Sequence, residues 1–187
     1  MRLPPVLVTI IAKGLYRSLS GRGALVSDKP AETVAKLEKL LSLDLQRDEE
    51  LAERAKSLLE SRHSEIKAEK DVDYRQLLGK AKKELAAMEK FVPWGGPEKM
   101  SSDKIGQLSR DILEFIRSDD DIEYFMPPDS LKREIALAFE KEKARDNERM
   151  QKALLKVRSI KRNIPEGSGE FATLAEQFYR EFLEKDR

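Results

Sequence analysis

Apolar side chains recur at intervals of three and four along most of this chain. Val8, Ile11, Ala12, Leu15 and Leu19 form one such stripe, and Ile105, Leu108, Ile112, Phe115 and Ile116 form another. That spacing places them on one face of an α-helix. The β-branched run at 6–11 alone would favour a strand; its counterpart at 105–116 decides for a helix, with Ser101 or Ser102 as N-cap of the second. Short β-prone runs follow, Ala24-Leu25-Val26 and Ile122-Glu123-Tyr124-Phe125, each after a turn and each stopped by proline at Pro30 or Pro127-Pro128. The two runs are placed to pair with each other.

Two long helices come next, over about 31–69 and 129–163, with Pro30 and Pro128 at their first turns. Asp129 and Ser130 are capping candidates. At ~1.5 Å per residue each would extend roughly 50–60 Å. Their stripes, Val34/Leu37/Leu40/Leu41 and Leu131/Ile135/Ala138/Phe139, resume only at Leu51/Ala55/Leu58/Leu59/Ile66 and Met150/Ala153/Leu154/Val157/Ile164. The intervening polar stretches, 44–50 and 140–149, predict a solvated waist in each helix. Third helices carry Tyr74/Leu77/Ala81/Leu85 and Phe171/Leu174/Phe178/Phe182, with Asp73 and Ser168 as caps.

The whole pattern occurs twice. Shifted by 98 positions, residues 30–66 fall on 128–164, so that Pro30 meets Pro128, Arg47-Asp48 meets Arg145-Asp146, and Ala55 meets Ala153. A fixed-offset self-match marks a duplicated unit. The predicted fold is therefore all-α: tandem pseudo-twofold helical units with two long helices and one tiny β pairing, elongated, with a bent, forked or dumbbell outline. The first repeat spans 1–91, a Pro/Gly linker 92–99 and the second repeat 100–187. Trp94, in the linker, is expected to plug a local groove.

Composition narrows the function classes. Charged residues make up 38% of the 187 and nearly cancel at +1, the mark of long solvated helices rather than of a polyanion binder. The absence of cysteine excludes disulfides and thiolate-held metals and suits a reducing compartment. Few Asn, Thr and His among many Lys, Glu and Arg is a thermophile-like bias. The apolar run at 6–12 is far shorter than a bilayer span of roughly 20 residues, and it has an internal counterpart, so a folded, cytoplasmic protein without membrane insertion is expected.

The tandem helices, the opening Met1-Arg2-Leu3, and Ile164-Pro165-Glu166-Gly167-Ser168 before an aromatic-rich final helix resemble a bacterial family, domain of unknown function number five hundred and seven. The likeness covers essentially the whole chain. It departs at Pro4-Pro5 and at Ala172-Thr173-Leu174, where a further aromatic would fit the pattern. The resemblance implies an elongated helical protein and no particular activity.

The candidate sites are few. Asp44, Asp48, Glu142 and Asp146 could gather on a divalent cation if the waists met. The expectation is instead that Asp44/Arg47 and Glu142/Arg145 are ion pairs on wet surface, with no metal and no cofactor. Lys152, Lys156, Arg158, Lys161 and Arg162 form a basic run that could hold phosphates, without the interleaved aromatics that stack bases. Asp119-Asp120-Asp121 reads as a turn, Gly21-Arg22-Gly23 as too little for a phosphate loop, and His63 as structural. No acid–base or nucleophile constellation appears, so an enzyme is not expected. The surplus of apolar residues at Leu7, Ile10, Tyr16, Tyr124 and Phe125 points to a scaffold or adaptor that docks another protein or a second copy of itself. The alternative is nucleic-acid association through 152–162.

Overall fold

The computed structural model describes residues 4–61, 73–95, 100–160 and 164–186. Among these there are six helices and two short strands: α1 (Pro5–Gly21), β1 (Leu25–Ser27), α2 (Pro30–Ser61), α3 (Tyr74–Met88), α4 (Ser102–Ser118), β2 (Ile122–Tyr124), α5 (Pro128–Arg158) and α6 (Gly169–Asp186). The fold is mostly α, as the periodicity predicts. Contacts divide it into two compact units, one from 1–39 with 109–187 and one from 40–108.

In the first unit, α1 packs on α5 and α6, and α5 packs on α6. Leu7, Ile11, Leu15 and Leu19 are buried along one side of α1, and Leu131, Ile135 and Phe139 are buried on α5. Helix α1 opens with Pro5, where the missing N–H costs nothing. It closes on two nested bonds, Ala24 N to Leu19 O and Gly23 N to Ser20 O, both 3.0 Å. Gly23 takes a left-handed φ of +65° there, which glycine adopts without strain.

The chain then enters the ribbon, where β1 and β2 pair antiparallel with Leu25 opposite Tyr124 and Ser27 opposite Ile122. Ser27 Oγ lies 2.7 Å from Thr33 Oγ1, and both residues are buried. The turn before β2 is the predicted one: Asp121 N donates to Asp119 Oδ1 at 3.1 Å. Lys36 Nζ lies 2.6 Å from Asp119 Oδ2, and this contact holds the Asp119 carboxyl below the usual range.

Helix α5 departs from expectation at both ends. Its N-cap is Pro127, with no side-chain capping bond, so Asp129 and Ser130 do not cap it. Asp129 sits inside the first turn, where its charge suits the positive end of the helix dipole. Helix α5 stops at Arg158 rather than near 163: Ser159 N bonds Leu155 O at 3.0 Å, and Ile160 N turns back to Val157 O at 3.1 Å. Residues 62–69 and 161–163 lie outside the described residues, as do His63 and Ile66. Ser168 caps α6 as predicted, accepting from Phe171 N at 3.1 Å. Val157, Phe171 and Ala175 form a core where the end of α5 meets α6.

In the second unit, Ala55 and Leu59 of α2 pack against Ala81 of α3, with Leu77, Leu78 and Leu85 around them. Tyr74 and Leu58, expected on the buried stripes, are 46% and 41% exposed. Helix α3 ends like α1, with Phe91 N bonded to Ala86 O and Lys90 N to Ala87 O. Here the left-handed position is occupied by Lys90, at φ +52°. Ser101 caps α4, accepting from Lys104 N at 3.2 Å.

Candidate functional site

The polar stretches of α2 and α5 are the least expected part of the molecule. They are solvated on one side only: Gln46, Arg47, Glu50, Glu140, Lys141, Arg145 and Glu148 are exposed, while Asp48, Glu142, Asp146 and Arg149 are buried. A helix polar on every side can still be covered when its neighbours bring matching charge, which periodicity within one helix does not show.

In the second unit the cover comes from α3, α4 and the connection between them. Asp44 lies 2.5 Å from Lys104 Nζ and also accepts from the Trp94 indole N–H. Asp48 accepts from Trp94 N at 2.9 Å and from Lys82 Nζ at 2.8 Å. Lys104 is fully buried, with its ammonium 4.0 Å from the centre of the Phe91 ring and 5.3 Å from that of Trp94. A desolvated ammonium held by a carboxylate and two ring faces is tied down. Trp94 is buried as expected and is the hinge-pin of this cluster. At the rim, Arg54 and Arg47 reach Glu89 and hold its carboxyl below the usual range.

In the first unit, Asp146 accepts from the Tyr179 hydroxyl of α6 at 2.6 Å. Burial, and then this bond, push the Tyr179 hydroxyl pKa far above its ordinary value. Glu142 takes Arg145 Nη1 at 2.5 Å, the predicted i,i+3 pair, but its carboxylate is covered rather than wet. The cover is α1 itself: a Cβ built on Gly14 would collide with the Glu142 carboxylate. Glycine here lets the charged group lie against the helix, at a propensity cost of about 1 kcal/mol.

Beside this contact opens a cleft of about 530 Å³, lined by α1, α5 and the end of α6. Its cations are Lys13, Arg17, Arg145, Arg149 and Lys152; its acids are Glu142, Glu148 and Asp186. Arg149 is the one buried cation of the five, 8% exposed. Its Nε donates to Asp186 Oδ2 at 2.6 Å, while its Nη1, also buried, has no hydrogen-bond partner among the described residues.

A family model matches residues 1–186. The chain belongs to the family of proteins of unknown function DUF507. No curated protein matches it. The likeness drawn from Ile164–Ser168 and the tandem helices therefore holds over the whole length, and DUF507 membership assigns no activity to the cleft or to either buried cluster.

The residues singled out by sequence scatter over this DUF507 fold. Leu7 and Ile10 are core, because α1 is enclosed on the side they occupy, and neither stands on the outer surface. Tyr16 is half-buried. Tyr124 and Phe125 are 38% and 61% exposed, and Val26, which sequence did not single out, is 51% exposed. Of the basic run, Lys152 is exposed and lines the cleft. Lys156 pairs with Glu181 at 2.9 Å and lies 3.9 Å from the centre of the Phe178 ring, and Arg158 pairs with Glu166 at 2.7 Å. Lys161 and Arg162 lie outside the described residues.

Asp44 and Asp48 belong to one unit, and Glu142 and Asp146 to the other. Among the described residues, no three His, Cys, Asp or Glu side chains gather as metal ligands would. Among them too, no helix is long and apolar enough to cross a membrane. Sequence reasoning missed Gly14, Lys104 and Arg149. Gly14 did leave a signal, a glycine inside an otherwise apolar helical stretch.

Proposed function

We propose that the protein is a non-catalytic adaptor that docks on another protein through the outer face of the β ribbon. The observation that supports this reading is the exposure of Val26 and Phe125. Antiparallel pairing puts Val26 opposite Glu123, and the ladder continues through Phe125 N to Ala24 O at 3.1 Å. Alternation therefore sets Val26 and Phe125 diagonally on one face. Two large apolar side chains more than half exposed, on the same face as the charged Glu123, have the make-up of a contact site with a polar rim. The buried titratable side chains favour a structural over a catalytic role, since Asp44, Asp48, Glu142 and Asp146 are each engaged by a cation or hydroxyl. Nucleic-acid contact through 152–162 draws less support, because Lys156 and Arg158 are already paired with acids.

The test is a photo-crosslinker at position 125, with the same group at Met88, 81% exposed in the other unit, as the control. The expected result is one discrete adduct specific to position 125. Excess unlabelled protein should compete it away, and a Val26→Asp/Phe125→Asp variant with unchanged melting temperature should not. Mass spectrometry of the adduct separates a foreign protein from a second copy. The same products from both positions, or competition by the variant, would overturn the reading.

A further inference from the structure

We infer that the cleft between α1, α5 and the end of α6 is a binding site for a small oligophosphate anion of the pyrophosphate class. The inference is independent of the ribbon and rests on three features of the cleft.

The first is charge. Five cations face three acids, and two of those acids are already engaged: Glu142 by Arg145 at 2.5 Å and Asp186 by Arg149 Nε at 2.6 Å. Positive charge thus exceeds negative by two in a concave site. The fields of like charges add in such a place and attract an anion of opposite sign.

The second is an unsatisfied donor. Arg149 is more than nine-tenths buried, and its Nη1 has no partner among the described residues. Buried donors are nearly always bonded; Nη1 is shielded from solvent in the cleft wall, so Arg149 holds donor capacity that a turn of its side chain toward the cleft offers to an acceptor oxygen as a charge-assisted bond. Asp186 accepts from Nε and so keeps Arg149 in the cleft wall. Glu142, pressed against Gly14, holds Arg145 in the same wall.

The third is what the lining leaves out. Among the described residues, Ile10 is the one large apolar side chain of the lining, and none of them is aromatic. The cleft can therefore recognise charge but not stack a base. Guanidinium and ammonium groups together suit phosphoryl oxygens, which accept from several directions at once. A volume of about 530 Å³ falls within the ordinary size of small-molecule sites and admits two linked phosphates.

The experiment is calorimetric titration and thermal denaturation of the full chain with inorganic pyrophosphate. Orthophosphate, citrate, and sodium chloride at matched ionic strength serve as comparisons. Pyrophosphate is expected to bind one to one and raise the melting temperature, orthophosphate to bind more weakly, and sodium chloride to do neither. Arg149→Met should abolish binding. Should that variant unfold, Arg17→Ala/Lys152→Ala decides: both side chains are exposed, the Arg149–Asp186 pair stays, and affinity should fall at least roughly tenfold. Absence of pyrophosphate binding, an equal shift with sodium chloride, citrate bound as tightly, or unchanged affinity in the double variant would each overturn the inference.

Discussion

At the scale of the residue, the molecule is held by charges placed where a helix would ordinarily hide leucine. Tyr179 shows how. Its ring is 1% exposed, and its hydroxyl donates to the buried Asp146. Tyr179→Phe removes the donor and leaves the carboxylate short of a partner, which should cost about 1–3 kcal/mol in urea denaturation. The pH dependence has a definite sign. The folded pKa of Tyr179 is raised above the unfolded value, so the native state keeps a proton that the unfolded chain releases. This stabilisation is complete below about pH 10 and is lost as pH rises above that, by up to ~1.4 kcal/mol per pH unit. The difference in 295 nm absorbance between wild type and Tyr179→Phe should accordingly show no tyrosinate step until the protein unfolds. A step near pH 10 in the folded protein would contradict the assignment. None of this is visible in sequence, where Tyr179 is one more aromatic on an amphipathic helix. Asp146 likewise reads as one charge in a polar stretch.

At the scale of the element, the sequence was most legible. Stripes of period 3.6 located each described helix, and proline or glycine marked the starts of α2 and α5 and the end of α1. The reason is that a helix stripe and a capping residue are local properties, set by neighbours within a few positions. The caps give a paired prediction. Ser168→Ala should destabilise by ~1 kcal/mol, since Phe171 N loses its acceptor. Lys90→Gly should stabilise by about 1 kcal/mol, because a left-handed φ of +52° strains any residue with a Cβ. Chemical denaturation of both variants checks the pair; equal signs would show that the helix ends are set otherwise. Where sequence failed, the cause lay beyond the element. The α5 cap was sought at Asp129 and Ser130, but the chain enters through Pro127, and α5 closes at Arg158 by a tightened turn.

At the scale of the whole molecule, ion pairs on both units couple stability to acid. Lys36 lowers the Asp119 pKa and Lys156 that of Glu181 in the first unit, while Arg54 lowers that of Glu89 in the second. Each folded pKa lies below its unfolded value, so the stabilisation is present above about pH 4.5 and is lost as pH falls through the folded values. Denaturation midpoints should decline from about pH 5 to pH 3 and the decline should shrink in high salt, since the cation of each pair is exposed. A profile flat across that window would show that the pairs contribute nothing. By itself, the sequence determined the mostly helical class, the order of helices, the two β-prone runs and the family, because periodicity, turn residues and a whole-length motif pattern are carried by local order along the chain. Only the tertiary structure decided that each polar stretch buries one charged face, that Leu7 and Ile10 are core while Val26 and Phe125 stand exposed, and that five cations share one cleft. Burial and charge pairing depend on which side chains other elements bring near, and those neighbours lie some 30 to 170 positions away in the chain.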